Sequence, residues 1–175
     1  MSRGFVKEDD QEEAPFIPPR APLPTGAANL VTPIGARLLE QERTALESER
    51  KVVISKADAG EMGDDDRRRQ LIVINGKLDL LNERIATAQI VEHESTPIDV
   101  RFGTTVTLLH EQGARKGSIQ RLTIVGVDEA NVKEGKVAFV APIVRALLGK
   151  GIGEIADLRL GNHVQKLKVL KIEIT

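Results

Sequence analysis

Three consecutive carboxylates followed by three guanidinium groups form the most chemically distinctive stretch of the chain. Residues 64–66 are Asp and residues 67–69 are Arg. Carboxylate oxygens are preferred ligands of hard cations such as Mg²⁺, and guanidinium groups bind phosphates and carboxylates. Charged runs of this type also serve as solvated connections between helices, where an Asp caps the helix that follows. The stretch is therefore either a site that assists metal or phosphate chemistry or a polar helix connection.

Composition excludes several other kinds of site. The chain has 175 residues, a formal net charge of −1 and no cysteine, so disulfides, thiol catalysis and cysteine-ligated zinc are excluded. Its histidines, His93, His110 and His163, lie in separate segments without the spacing of metal ligands. Four Phe are the only aromatic residues, so stacking platforms for nucleic-acid bases are not expected. The N-terminus has no apolar signal region, and we expect a cytoplasmic protein without a membrane segment.

Two helical segments flank the charged stretch and must position it. The second carries apolar residues at strict three- and four-residue spacing, as in the seam of a left-handed coiled coil: Leu71, Ile74, Leu78, Leu81, Ile85 and Ala88. The first begins at the N-cap signal Thr32-Pro33 and carries a sparser stripe of Leu39, Leu46 and Val53. The pattern predicts an antiparallel hairpin of helices over residues 33–57 and 67–90, with the aspartates at its tip. Asn75-Gly76 is expected to weaken the second helix by about 1 kcal/mol.

The remainder of the chain divides into a tail and a second domain. Residues 1–30 combine an acidic run with five prolines, which predicts a disordered, acidic and Pro-rich tail. The hairpin is assigned to residues 31–95. After residue 96 the chain is rich in β-branched residues, and strands are predicted over 100–103, 104–109, 119–127, 136–140, 154–160 and 164–174. A short helix is predicted at residues 142–148, between Pro142 and Gly149. The fold class is α+β.

Three C-terminal motifs resemble the GreA/GreB family of bacterial transcript-cleavage factors. They are Phe-Gly-Thr-Thr-Val-Thr-Leu at 102–108, Ile-Val-Gly-Val-Asp-Glu-Ala at 124–130, and Ala-Pro-Ile-Val-Arg-Ala-Leu-Leu-Gly-Lys at 141–150 with Gly153-Glu154. Their order and spacing are those of the family. The likeness extends through Thr32-Pro33-Ile34-Gly35 and the hairpin, over about residues 31–175, and the N-terminal extension resembles that of GreB-like relatives.

The resemblance implies an FKBP-like antiparallel sheet domain over residues 96–175 and a role with RNA polymerase. In the family, the hairpin enters the secondary channel of bacterial RNA polymerase and the C-terminal domain grips the channel rim. Tip carboxylates then help to hold a second Mg²⁺ near the 3′ end of the nascent RNA, and the polymerase cleaves backtracked RNA. The resemblance implies that Asp64, Asp65 and Asp66 assist catalysis, with Asp64 contributing to the shared Mg²⁺. It assigns Val140, Ala141, Pro142 and Arg145 to rim binding. The protein is then a monomer, not itself an enzyme, and has no cofactor of its own.

The chain departs from the family pattern at both sites. The family tip has Gly-Asp and a second acid three residues after that Asp; here Gly63-Asp64 matches the first acid and Arg67 occupies the position of the second. Arg68-Arg69 replace the family's Asn-Ala. At the rim site, Val140-Ala141 replace the usual Asp-Ser before Pro142.

Three functions follow from the sequence. The first is a factor that stimulates cleavage of backtracked RNA in arrested complexes. The second is a Gre-like regulator that occupies the same channel without promoting cleavage, a function for which the arginines at residues 67–69 are suited. The third is a prolyl isomerase, suggested by the FKBP-like fold alone, although Phe102 and Phe139 are the domain's only aromatic residues and a fold does not determine function.

Overall fold

A computed structural model describes residues 14–95, 97–113 and 115–174. These residues form the α-helices α1 (Pro33–Asp58), α2 (Asp64–Ala86) and α3 (Pro142–Leu147), and a 3-10 helix spans Val132–Glu134. The strands are β1 (Asn29–Val31), β2 (Ala88–Ile90), β3 (Thr104–His110), β4 (Ile119–Val125), β5 (Lys136–Ala138), β6 (Ile155–Leu160) and β7 (His163–Ile174). Within this part of the chain, no helix is long and apolar enough to cross a membrane.

Helices α1 and α2 form the predicted antiparallel hairpin. Both apolar stripes face inward, and the buried core of the hairpin comprises Val31, Leu39, Leu46, Val53, Ile74, Leu78 and Leu81, with Leu71 and Ile85 packed at its margin. Helix α1 begins as predicted, with Pro33 in its first turn and the Thr32 hydroxyl accepting a hydrogen bond from the Gly35 N–H at 2.9 Å. The seam therefore determines how the two helices pair.

The boundaries of α2 differ from the prediction of residues 67–90. The helix begins at Asp64, because acidic residues in the first turn are stabilised by the positive end of the helix dipole. It ends at Ala86, and β2 pairs in parallel with β1 instead of continuing the helix. The Asn29 side chain secures this junction by donating to the Arg84 carbonyl at 2.8 Å and to the Thr87 hydroxyl at 3.1 Å. The two-stranded ladder thus closes the base of the hairpin.

The proline-rich segment, residues 14–28, contacts the hairpin through Ile17, Arg20 and Ala21. Residues 29 and 30 belong to β1, so the disordered tail predicted over 1–30 is wrong for these residues. Residues 1–13 lie outside the described residues. The segment runs beside α2, where the Ile17 side chain fills the space above Gly76. A Cβ atom at Gly76 would lie 2.3 Å from Ile17 Cδ1. The glycine that is expected to weaken α2 therefore provides room for another part of the chain, and α2 continues through it without interruption.

The C-terminal domain contains a five-stranded sheet in the order β5-β4-β3-β7-β6. Three of its pairings are antiparallel, as predicted, but β5 joins β4 in parallel because the chain crosses back through the 3-10 helix. The strand predicted at 100–103 is also wrong, since only Asp99 forms an isolated bridge there, with Gly151. Helix α3 contributes Val144 and Leu147 to the domain core, in which Val106, Leu108, Ile124, Leu167 and Val169 are also buried. The predicted α+β class is confirmed.

A buried carboxylate joins the two domains at the start of α1. Glu129, in the turn after β4, accepts a hydrogen bond from the Thr32 hydroxyl, and its other oxygen lies 3.8 Å from Lys136 Nζ. The same glutamate packs against Gly35, where an added Cβ would lie 2.7 Å from its Oε2 atom. The N-cap of α1 is therefore completed by a residue of the sheet domain.

Gly35→Ala should destabilise the protein by about 1–3 kcal/mol, because the new methyl group overlaps Glu129 and its neighbours Val31 and Thr32. Chemical denaturation followed by circular dichroism measures the loss. Gly151→Ala is the matched control, since its Cβ would have only ordinary contacts at 3.5 Å or more. Equal effects of the two substitutions would contradict this account of the junction.

Candidate functional site

The acidic stretch lies at the far end of the hairpin, as predicted. Residues 59–63 form a short connection in which the Glu61 N–H donates to the Lys56 carbonyl at 2.9 Å and Met62 packs at the edge of the hairpin core. Helix α1 has 26 residues, so the tip lies roughly 39 Å from the base of the hairpin at 1.5 Å per residue. The carboxylates are thus presented at the end of a long, anchored projection.

Asp64, Asp65 and Asp66 occupy the first turn of α2, and all three are exposed. Their position near the helix N-terminus stabilises α2 by about 0.3–1 kcal/mol each. Asp66 also lies 3.6 Å from Arg69 in an exposed ion pair, a contact that contributes little to stability. The N-cap of α2 is Gly63, without a side-chain cap hydrogen bond, so the expectation that an Asp caps this helix is wrong. The aspartates stabilise the helix through its dipole, a role that leaves their exposed carboxylates available for function.

Consecutive residues of a helix project about 100° apart, so the three carboxylates do not converge on one point. Among the described residues, no group of three or more His, Cys, Asp or Glu side chains is placed to hold a metal ion. Carboxylate oxygens nevertheless suit Mg²⁺, which is often held by one or two carboxylates with its other ligands supplied from elsewhere. The tip fits a shared ion, to which Asp64 would contribute, and does not fit a complete metal site of its own.

Arg67 lies one helical turn after Asp64, on the same face of α2. Its N–H donates to the Gly63 carbonyl at 3.0 Å, and its side chain is half-buried, whereas Arg68 and Arg69 are exposed. A guanidinium group therefore occupies the helical position from which a second acid would act together with Asp64. Because α2 starts at residue 64, both residues are helical, and the helix geometry fixes the relative positions of the Asp64 and Arg67 side chains.

The four residues assigned to partner binding lie together at the start of α3. Ala141 is the N-cap of this helix and Pro142 is its first residue. Val140 and Ala141 are half-buried, while Pro142 and Arg145 are exposed. Just before them, Phe139 packs edge-on against Phe102, with ring centroids 5.7 Å apart. The surface is therefore held by the domain core and presents one apolar and one cationic side chain to solvent.

Sequence reasoning missed a second group of charged residues, at the base of the hairpin. Arg20, Glu42, Arg84 and Asp128, here termed the Arg20 cluster, come from the proline-rich segment, α1, α2 and the turn after β4. Asp128 directly follows an apolar run at residues 124–127, and this position next to buried residues could have indicated a carboxylate in need of a charged partner. Arg20 gave no such signal, because it is 108 residues away from Asp128 in the chain.

Comparison with known proteins identifies the family. Residues 95–174 match the family model described as Transcription elongation factor, GreA/GreB, C-term. Transcription elongation factor GreA of Thioalkalivibrio sulfidiphilus is 34% identical over 140 residues, which cover 74% of this chain and 87% of that protein. The chain belongs to the GreA/GreB family of transcription elongation factors.

Other GreA/GreB relatives cover more of the chain. GreA of Maricaulis maris is 29% identical over 152 residues, covering 81% of this chain and 95% of that protein. The crystal structure of GreA factor homolog 1 (Gfh1) of Thermus thermophilus is 21% identical, covers 84% of this chain and 99% of that one, and has a TM-score of 0.37. The family model and the GreA relatives confirm the family resemblance drawn from the three motifs, whereas the GreB-like subtype stays a prediction.

Proposed function

We propose that this GreA/GreB protein binds bacterial RNA polymerase through the secondary channel and stimulates the polymerase to cleave backtracked RNA. The observation that carries the proposal is the placement of Asp64, Asp65 and Asp66 at the tip of a hairpin roughly 39 Å long. Such a projection can reach a recessed active centre, while the sheet domain remains outside. The protein contributes side chains to another enzyme's site and is not an enzyme by itself.

Each part of the chain has a distinct role in this proposal. The surface formed by Val140, Ala141, Pro142 and Arg145 binds the channel rim. Asp64 supplies a charged oxygen ligand to a Mg²⁺ ion held jointly with the polymerase, and Asp65 or Asp66 provides further negative charge beside it. Shared Mg²⁺ supplies Lewis acidity to the hydrolysis of the RNA phosphodiester bond. Tight packing of the hairpin seam keeps the carboxylates at a fixed distance from the rim.

The direct test uses a stalled, backtracked elongation complex with and without the protein. We expect release of short 3′ RNA fragments at a higher rate when the protein is present. Failure to stimulate cleavage, together with competition against a known cleavage factor for the same polymerase, would overturn the proposal in favour of a non-cleaving regulator. Arg67 is the observation that favours this second function, because it places a cation one turn from Asp64.

Arg67→Glu should increase stimulated cleavage, since it removes a cation beside Asp64 and restores an acid three residues after it. Initial cleavage rates at saturating protein provide the measurement. Arg68→Glu makes the same change in charge at an adjacent, exposed position and serves as the control. An equal rise in both variants would show that overall charge, and not the spacing of acids at the tip, determines the rate.

Ala141→Asp should weaken binding to RNA polymerase by about 2 kcal/mol, corresponding to about 30-fold in Kd. The variant should remain folded, because Asp is a favourable N-cap residue for α3. Ala141→Ser caps the helix without adding a charge and is the matched control. Titration of labelled polymerase measures both affinities, and unchanged binding of Ala141→Asp would place the contact elsewhere on the domain.

A further inference from the structure

Arg20 connects three parts of the molecule that are distant in sequence. Its guanidinium group donates to both carboxylate oxygens of Glu42 on α1, at 2.9 and 3.0 Å, and its Nε donates to Asp128 Oδ1 at 3.0 Å. Arg20 itself belongs to the proline-rich segment. One side chain thus joins this segment to the hairpin and to the sheet domain.

Arg84 on α2 reinforces the same junction. Its Nη2 atom donates to the Ala21 carbonyl at 2.7 Å, and its Nη1 atom lies 3.3 Å from Asp128 Oδ2. Asp128 is therefore held between two guanidinium groups, one from the proline-rich segment and one from α2. Together with Ile17, which packs over Gly76, these contacts hold the segment at several points along the hairpin.

These ion pairs differ from ordinary surface pairs, which contribute little to stability. The side chains of Arg20, Arg84 and Asp128 are only 16%, 12% and 12% exposed, whereas that of Glu42 is 46% exposed. The contact with Glu42 is bidentate, a geometry that is both stronger and more directional than a single bond. Hydrogen bonding to Glu42 and attraction to Asp128 raise the pKa of Arg20 above its ordinary value, against an opposing effect of burial. The cluster therefore favours one arrangement of the elements that it joins.

We infer that Arg20 is a positioning residue, which holds the hairpin in a fixed direction relative to the sheet domain. The function of this contact, which rests on the proposed function, is to aim the tip carboxylates while the domain is bound to the rim. Thr32 and Glu129 join the domains at the beginning of α1, and Leu30 and Val91 pack against the core of the sheet domain beside them. These contacts all lie at the base of the hairpin. The Arg20 cluster extends this junction from Asp128, the neighbour of Glu129, to Glu42 farther along α1, and thereby opposes rotation of the hairpin about its base.

The inference is tested by distance measurements on the isolated full-length protein. Because the chain contains no cysteine, spin labels can be attached to cysteines introduced at Glu61 on the tip and Arg159 on β6. Pulsed electron paramagnetic resonance then reports the distribution of distances between tip and sheet domain. Arg20→Gln should broaden or shift this distribution relative to the wild type. Arg20→Lys should give an intermediate result, because an ammonium group cannot form the bidentate contact with Glu42.

Two comparisons separate positioning from general destabilisation. Arg43→Gln is the matched control, since Arg43 pairs with Glu40 within α1 and, among the described residues, has no ion pair with another helix or strand. Its distance distribution should equal that of the wild type. Asp128→Asn should broaden the distribution, and the double variant Arg20→Gln/Asp128→Asn should not exceed the larger single effect by much, because both substitutions remove one network. A wild-type distribution in Arg20→Gln would overturn the inference.

Cleavage assays test the functional part of the inference. At saturating protein, Arg20→Gln should reduce the cleavage rate by about tenfold while its affinity for polymerase changes much less, because misplacement of a catalytic group lowers the rate of the step itself. Normal cleavage despite a broadened distribution would overturn the aiming role. If the wild-type protein does not stimulate cleavage, the proposed function fails, but the distance measurements still decide whether Arg20 fixes the two domains.

Discussion

Asp64→Asn should reduce stimulated RNA cleavage by about 10- to 100-fold, equivalent to about 1.4–2.7 kcal/mol in the activation barrier. The substitution preserves size and hydrogen bonding but removes the negative charge that a hard dication requires. Binding to polymerase should persist, because the residues assigned to the rim lie on the other domain. Cleavage rates at saturating protein, together with a separate binding titration, distinguish the two effects.

Asp65→Asn and Asp66→Asn, made separately, test whether a neighbouring carboxylate supplies the missing second acid. Each removes the same charge from the first turn of α2, so a loss of helix stability affects all three variants similarly. A steep loss in only one of the neighbours would show that this neighbour, and not Asp64, assists the metal. Equal, small effects in all three would contradict a direct role for the tip carboxylates.

Leu81→Ala should destabilise the hairpin by about 3–5 kcal/mol, because Leu81 is completely buried in its core and truncation leaves a cavity. Thermal and chemical denaturation followed by circular dichroism at helical wavelengths measure the loss. Leu38→Ala is the control, since Leu38 on α1 is 45% exposed. Similar losses in both variants would contradict the assignment of the α2 seam to the buried face.

The hairpin could be predicted because its information is local and periodic. The spacing of Ile74, Leu78 and Leu81 specifies both the helix and its buried face. The position of the aspartates at the tip follows from antiparallel pairing alone. Their directions could not be predicted in the same way, since these depend on whether α2 begins at residue 64 or at residue 67. Three acids in a row favour an early start through the helix dipole, a contribution that a search for apolar spacing does not detect.

Contacts between segments that are distant in the chain could not be predicted from the sequence. The proline-rich segment has the composition of a disordered chain, and its order depends on the space over Gly76 and on contacts with Glu42, Arg84 and Asp128. The parallel pairing of β5 with β4 involves only three residues of each strand, too few for a periodic signal. Such features are determined by complementary surfaces that exist only after the helices and the sheet have formed.

The parallel ladder between β1 and β2 fixes the base of the hairpin independently of how far its tip extends. Because the chain enters α1 and leaves α2 at neighbouring points, both helices can change in length together while their base stays in place. Seven residues, one heptad, added to each helix would preserve the seam and move the tip outward by about 10 Å. The length of the hairpin can therefore change in steps of one heptad, while the six paired residues of β1 and β2 keep its base in place.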